Sequence, residues 1–246
     1  MMMTRHPQVD STRAGYVVAT LLLVSGVTLA TSAAAAPTLR DQIAAAVAAG
    51  EAQHYVKIVS LNTAPGQSQT MTSLAGPGIG MQVLTAVGTG GGDHMTVEYI
   101  KHTLYVKATL GFLEGTFGLS SAVAAREVNE WVVVTTNNPA FRTVYSAVTI
   151  TSALSLFAGA GAVTSGSSTV VDGVRVKVMR VVIPKSPASP AGIETLYIAL
   201  TGAPLPVEAV FSGGGVTSRM KFSQWGKHFT LRAPTTRLRM PSAQTG

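Results

Sequence analysis

The chain has 246 residues, 18 Lys and Arg against 11 Asp and Glu, a formal net charge of +7 and no cysteine. The missing cysteine excludes a disulfide framework, a thiolate metal site and the attachment of a lipoprotein lipid. With aromatic residues at only 6%, there is no cluster of rings for stacking on bases or sugars.

Residues 1–35 read as a secretory signal. Arg5 and Arg13 give a positive start, Gly15 to Ala30 is uncharged and apolar, and Ala33, Ala34, Ala35 and Ala36 are small enough for a signal peptidase. Cleavage after Ala35 satisfies the small-x-small rule with Ala33. The 23 uncharged residues from Ala14 to Ala36 are also long enough to span a bilayer, so an uncleaved anchor is the alternative. Either reading places the rest outside the cytoplasm, secreted or in the periplasm or cell envelope. The remaining stretch of about 210 residues is enough for one domain with a substantial core. Residues 36–234 are read as that domain and 235–246 as a loose polar tail.

Thr38 to Ala49 is a predicted helix. Thr38 and Asp41 have capping-box spacing, Leu39, Ile43 and Val47 recur every four residues, and Gly50 ends the pattern. Strands are predicted at His54–Leu61, Gln69–Ala75, Gly80–Val87, Asp93–Ile100 and Thr103–Lys107. They are short, β-rich and separated by turn signals, as in hairpin-connected sheets.

Leu110 to Arg126 reads as helical, with Leu110, Leu113 and Phe117 on one face and Gly111, Gly115 and Gly118 on another. Each glycine weakens a helix by about 1 kcal/mol relative to alanine, so this segment is expected to be a frayed cover. Glu130–Val134 is a short strand, Asn138-Pro139 a helix start, and residues 140–158 helical despite many β-branched side chains. Gly159 to Ser168 is expected to be a flexible connection.

Strands resume at Thr169–Val171 and Val174–Ile183, followed by a loop from Pro184 to Pro190. The stretch from Thr195 to Gly226 carries the clearest pattern. Leu196, Ile198 and Leu200 alternate with Thr195, Tyr197 and Ala199. Val207, Ala209 and Phe211 form a second alternating set. Met220 and Phe222 form a third, against Arg219, Lys221 and Ser223. Period two marks an antiparallel sheet with one buried and one wet face. Gly202-Ala203-Pro204 and Gly213-Gly214-Gly215 supply the reversals. Phe229–Leu231 is a candidate last strand. The order of elements is that of an α+β domain whose helices gather on one face of an antiparallel sheet.

Charge is uneven. From Gly173 onward ten basic residues stand against Glu194 and Glu208, whereas Ala36 to Asp172 has six basic and eight acidic residues. A basic half on an exported chain favours anionic lipid head groups or acidic wall polymers over nucleic acid. The same Arg175, Lys177, Arg219 and Lys221 could equally keep the outer face of a sheet soluble.

Catalytic patterns are weak. Ser218-Arg219-Met220-Lys221 matches S-x-x-K, but its strand-like alternation puts Ser218 and Lys221 on opposite faces. There is no G-x-S-x-G elbow. The glycine-rich stretches 76–80 and 88–92 lack a P-loop lysine. His54, His94, His102 and His228 have no metal-ligand spacing, and the acids are too scattered for a carboxylate pair. No enzyme, metal or cofactor is expected. Met71, Met81, Met95, Met179 and Met220 all fall on predicted strands. Methionine adapts to irregular partners, so these either fill a core or line a space for a flexible lipid.

Several short segments together resemble a known superfamily. They are Leu104-Tyr105-Val106-Lys107, Glu130-Trp131-Val132-Val133-Val134, Gly173-Val174, Leu205-Pro206-Val207, and the run from Met220 to Gly226, MKFSQWG. With the export signal, the N-terminal helix and two helical insertions, the stretch from Thr38 to Pro234 resembles the LolA-like half-barrels, and within them the LppX/LprG-type lipoproteins. The resemblance implies a strongly curved antiparallel sheet with helices over its concave face, and acyl chains held between. It implies a lipid-carrying, non-enzymatic protein, with phospholipid or glycolipid as partner and transient membrane contact, expected to be monomeric. The lipidation cysteine of that branch is absent, so a freely diffusing form is expected.

On this reading Leu110, Phe112, Leu113 and Phe117 form the cover. Met81, Val83, Met95 and Val97 line the floor from one side, and Val176, Val178, Met220 and Phe222 from the other. Arg175, Lys177, Arg219 and Lys221 offer an anionic head-group surface. Burying a methylene gains roughly 0.8 kcal/mol, so a dry slot holds an acyl chain without any catalytic group. The alternative is a filled core of the same inward residues, serving an envelope interaction or sensor domain with a basic partner-binding surface.

Overall fold

The computed structural model describes residues 36–88, 91–155, 157, 161–185, 190–235 and 237–239. The expected signal, residues 1–35, lies outside the described residues, as do parts of the loops at 89–90 and 186–189 and the last seven residues. No helix among the described residues is long and apolar enough to cross a membrane.

The chain runs α1 (Leu39–Glu51), β1 (Val56–Ala64), β2 (Gln67–Gly76), β3 (Ile79–Gly88), β4 (Gly91–Ile100), β5 (Thr103–Ala108), α2 (Leu110–Phe117), α3 (Ser121–Glu127) and β6 (Val132–Val134). It continues with α4 (Ala140–Ser146), α5 (Ile150–Ser155), β7 (Val163–Ser165), β8 (Thr169–Val171), β9 (Val174–Ile183), β10 (Gly192–Ala199), β11 (Pro206–Gly213), β12 (Val216–Ser223) and β13 (Leu238–Arg239). The strands form one open, curved sheet in the order β13-β6-β5-β4-β3-β2-β1-β12-β11-β10-β9-β7, with β8 also on β9. Successive hairpins from β1 to β5, and from β9 to β12, follow from turn signals every ten residues or so. β1 then pairs antiparallel with β12, opposing Ile58 to Phe222, and joins the two halves. This is the α+β architecture expected from the sequence.

The N-cap of α1 is the expected capping box. Asp41 N–H donates to Thr38 Oγ1 at 3.2 Å, and Thr38 N–H donates to the Asp41 carboxylate at 2.9 Å. The segment from Leu110 to Arg126, read as one glycine-weakened helical cover, is two short helices, α2 and α3, parted at Gly118. Gly118 takes φ 65° and its N–H reaches Glu114 O, a left-handed glycine stop for α2, and Leu119 N–H reaches Leu113 O. The second cover is also two short helices. The carbonyl of Ala147, at the break, accepts from Gln82 Nε2 at 3.1 Å instead of from a helical N–H.

Two clusters make the core, both on the helix side. One joins Val97, Leu104, Val106, Val132 and Val134 of the sheet to Leu113 and Phe117 of α2, Ala124 of α3 and Val144 of α4. The other joins Ile58, Met179, Val181, Leu196 and Phe222 to Ile43 and Ala46 of α1 and Leu154 of α5.

Four expectations are corrected. The connection after Gly159 contains β7, paired with Val181, Arg180 and Met179 of β9. Phe229–Leu231 is not a strand; Phe229 instead packs edge-on against Tyr55. Leu238–Arg239, placed in the loose tail by composition, pairs parallel with Val132–Val133. Leu200, grouped with Leu196 and Ile198, is exposed at the strand end.

Candidate functional site

Residues paired across strands share a face, so the register can be followed across the helix-covered face. One level runs Met179, Leu196, Ala209, Met220, Ser60, Met71, Leu84, Met95, Ala108, from β9 to β5. Four of the five strand methionines therefore lie in a single row. Met71 and Met220 are only half-buried, whereas Met95 and Met179 are sealed under the two helix groups. Ser60, between the two half-buried methionines, is itself buried.

The next level, toward the hairpin turns at 64–67 and 88–91, runs Val181, Glu194, Phe211, Ser218, Asn62, Gln69, Ala86, Asp93. It is polar at its centre. Ser218 Oγ donates to Asn62 Oδ1 at 2.6 Å, and Asn62 Nδ2 donates to Gln69 Oε1 at 3.1 Å. Asp93 accepts from Thr109 Oγ1 at 2.7 Å. Asn62, Gln67, Gln69, Ala86, Gly88 and Asp93 line a recess of about 400 Å³ at this rim. Glu194, 6% exposed beside Val181 and Phe211, has its carboxyl pushed up to about 7 by burial.

The level on the other side of the methionines runs Phe222, Ile58, Ser73, Gln82, Val97, Val106, Val132. Gln82 is buried and donates to Ser73 Oγ at 3.2 Å as well as to Ala147 O. Ser60, 1% exposed and centred in the methionine row, has a hydroxyl with no hydrogen-bond partner among the described residues. The face is thus apolar on both flanks, soft and methionine-rich along its middle, and polar at the rim.

The predicted floor is only partly on this face. Met95, Val97, Met220 and Phe222 are. Met81 and Val83 are not: the inward residues of β3 are Gln82 and Leu84, opposite Val97 and Met95, and Val83 is 40% exposed. Val176 and Val178 also point away, because Lys177 and Met179 take the inward positions of β9. They are buried all the same, next to Gly166 and under the β8–β9 hairpin. Of the predicted cover, Leu113 and Phe117 are buried in the first cluster, Phe112 packs against it, and Leu110 is exposed. The sequence missed Ser60, Leu84 and Gln82, and singled out Met71 only as one of five strand methionines. β3 carries large side chains on both faces, so its alternation does not say which set faces the helices.

The expected head-group surface is not assembled. Arg175 and Lys177 have the inward parity of β9, and Lys177 Nζ bonds Gln42 Oε1 of α1. Arg219 and Lys221 face outward. Lys221 pairs with Asp172 at 2.8 Å, and Arg219 lies 3.9 Å from the buried Glu208. Ser218 and Lys221 stand on opposite faces, as the alternation requires. A second, apolar recess of about 430 Å³ lies along α1 against Phe157, lined by Ile43, Ala44, Val47 and Ala48 with Arg40 and Glu51 at its ends. No group of His, Asp and Glu among the described residues is arranged to hold a metal ion.

No model of a known protein family matches the chain, and no curated protein matches it. Solved structures do. LprF of Mycobacterium bovis superposes with a TM-score of 0.52 at 16% identity, over 79% of this chain and 96% of LprF. The lipoprotein LppX of Mycobacterium tuberculosis gives 0.50 at 17% identity, over 80% of this chain and 99% of LppX. The fold is that of the LppX/LprG-type lipoproteins. The match takes in nearly the whole length of both solved structures. At this level of identity the likeness concerns the fold, and the methionine row is a feature of this chain's own sequence.

Proposed function

We propose that this protein is an exported, non-enzymatic lipid-binding or lipid-transfer protein that holds acyl chains between its curved sheet and its helices. The observation that carries the reading is the pair Met220 and Met71, each only half-buried on either side of the buried Ser60, between two dry clusters. Methionine's three rotatable bonds let such a floor adapt to a flexible chain. At roughly 0.8 kcal/mol per methylene, a long acyl chain laid along it gains on the order of 10 kcal/mol gross. The cover is made of short helices, stopped at Gly118 and at Ala147, and not of one rigid layer. Extraction of the purified protein with organic solvent should release lipid in stoichiometric amount, and a fluorescent fatty acid should bind and be displaced by it. Protein that carries no lipid and binds no acyl probe would refute the reading.

A second reading has its own observation. Val97, Leu104, Val106, Leu113 and Val132 are packed with almost no exposure, as in a filled core. On that reading the fold serves as an envelope interaction or sensor domain, and a lipid-free sample would bind a protein or anionic polymer through its basic C-terminal half.

A further inference from the structure

Among the described residues three buried side-chain oxygens lack a hydrogen-bond partner, Ser60 Oγ, Glu98 Oε2 and Glu127 Oε2, and of these Ser60 is the one on the helix-covered face of the sheet. Gln82 is bonded to Ser73 and Ala147, and Ser218, Asn62 and Gln69 form a chain. Ser60 Oγ has no partner among the described residues, and its side chain is shut between the half-buried Met71 and Met220, its register neighbours on either side. An unpaired hydroxyl in apolar surroundings is unfavourable, and native chains retain one where something else supplies the partner. Here the two flanking methionines are flexible enough to swing aside and admit it.

We propose that the ligand is an uncharged acyl ester, that the Ser60 hydroxyl donates to its ester carbonyl, and that the amide row at the rim receives its hydroxyl-bearing head. This rests on the lipid-binding reading above. Two residues along β1 separate Ser60 from Asn62, about 7 Å, comparable with the distance from an ester carbonyl to the free hydroxyl of a diacylglycerol. At that level the ligand meets Asn62, Gln69 and Ser218, which donate to and accept from hydroxyls. The described residues lining the rim recess include no Lys or Arg, and Asp93 is among them. A phosphate placed there would meet a carboxylate and no countercharge. Of the four cations that composition offers for a phosphate, Arg219 and Lys221 are on the other side of the sheet and paired with acids, and Arg175 and Lys177 lie on β9 beyond Met179, away from the rim.

The test compares three probes on the full chain, each delivered from cyclodextrin: dioleoylglycerol, its diether analogue, and dioleoylphosphatidylglycerol. Dioleoylglycerol should bind about tenfold more tightly than either of the others, the loss expected when a buried hydroxyl is left unpaired. Ser60→Ala should remove the ester-over-ether preference, weakening dioleoylglycerol about tenfold and leaving the diether unchanged. Ser60→Thr should restore part of it. Thermal unfolding of Ser60→Ala at or above the parent midpoint separates this from misfolding. Equal binding of ester and ether, an unaffected Ser60→Ala, or phosphatidylglycerol bound as well as dioleoylglycerol would overturn the inference while leaving lipid binding intact. If none of the three binds, the lipid-binding reading itself falls.

Discussion

Gln82 on β3 holds the carbonyl of Ala147 at 3.1 Å across the layer between sheet and helices. It is 2% exposed and also donates to Ser73, so the helical cover is pinned to the floor by a hydrogen bond exactly where its own ladder stops.

Gln82→Leu keeps the volume and leaves the Ala147 carbonyl and the Ser73 hydroxyl unpaired. The expected loss is about 1–3 kcal/mol in urea-induced unfolding. Because the bond ties Ala147, between α4 and α5, to the sheet, amide exchange in α4 and α5 should rise more than in α2 and α3. Uniform exchange across both covers would contradict this role.

Gly80 is the close-approach point beneath the same break. A Cβ built there would sit 2.6 Å from Val148 O and 2.8 Å from Val148 Cβ. Gly80→Ala should therefore cost about 1–3 kcal/mol by overpacking, read as a lower denaturation midpoint with an unchanged m-value.

Glu194 gives the protein a pH dependence of defined sign. Its carboxyl is raised to about 7 by burial, above the range of an unfolded chain, so the folded state binds the extra proton. The associated stability is fully present below the unfolded value, near 4.5, and is lost as pH rises through 7. Unfolding free energy should fall between pH 5 and pH 8 by at most about 3 kcal/mol. Glu98 and Glu127, also raised by desolvation, act with the same sign. Glu194→Gln should flatten most of that slope, as followed by urea titrations at several pH values.

Lys221→Ala tests the outward assignment of the basic residues. The Lys221–Asp172 pair is largely solvent-accessible, so stability should change by less than about 1 kcal/mol. Affinity for an acyl probe should be unchanged, since the side chain is on the face away from the helices. A clear loss of affinity would return these cations to a head-group role.

Much of this architecture is legible in the residues. Period-two alternation and regular turn signals mark the hairpins, the Thr38–Asp41 spacing marks α1, and the glycines mark the stop at Gly118. What stays hidden is which face a strand turns inward when both faces are apolar. β3 presents Met81 and Val83 on one side and Leu84 on the other. β9 buries Val176 and Val178 outward, then Met179 and Val181 inward. Only cross-strand register decides between them, and register depends on partners far along the chain. The bond that meets the free carbonyl of Ala147 is hidden for the same reason, since its donor, Gln82, lies 65 residues earlier. β13 is two residues long and has no periodicity to read.

The most direct test of the central claim is to cross-link a fatty acid carrying a photoreactive group along its chain to the full-length protein and map the adducts by mass spectrometry. The account predicts adducts on the strands that carry Met71 and Met220, abolished by excess unlabelled fatty acid. Adducts confined to the α1 recess around Ala44, Ala48 and Phe157, or none that unlabelled fatty acid can compete away, would contradict it.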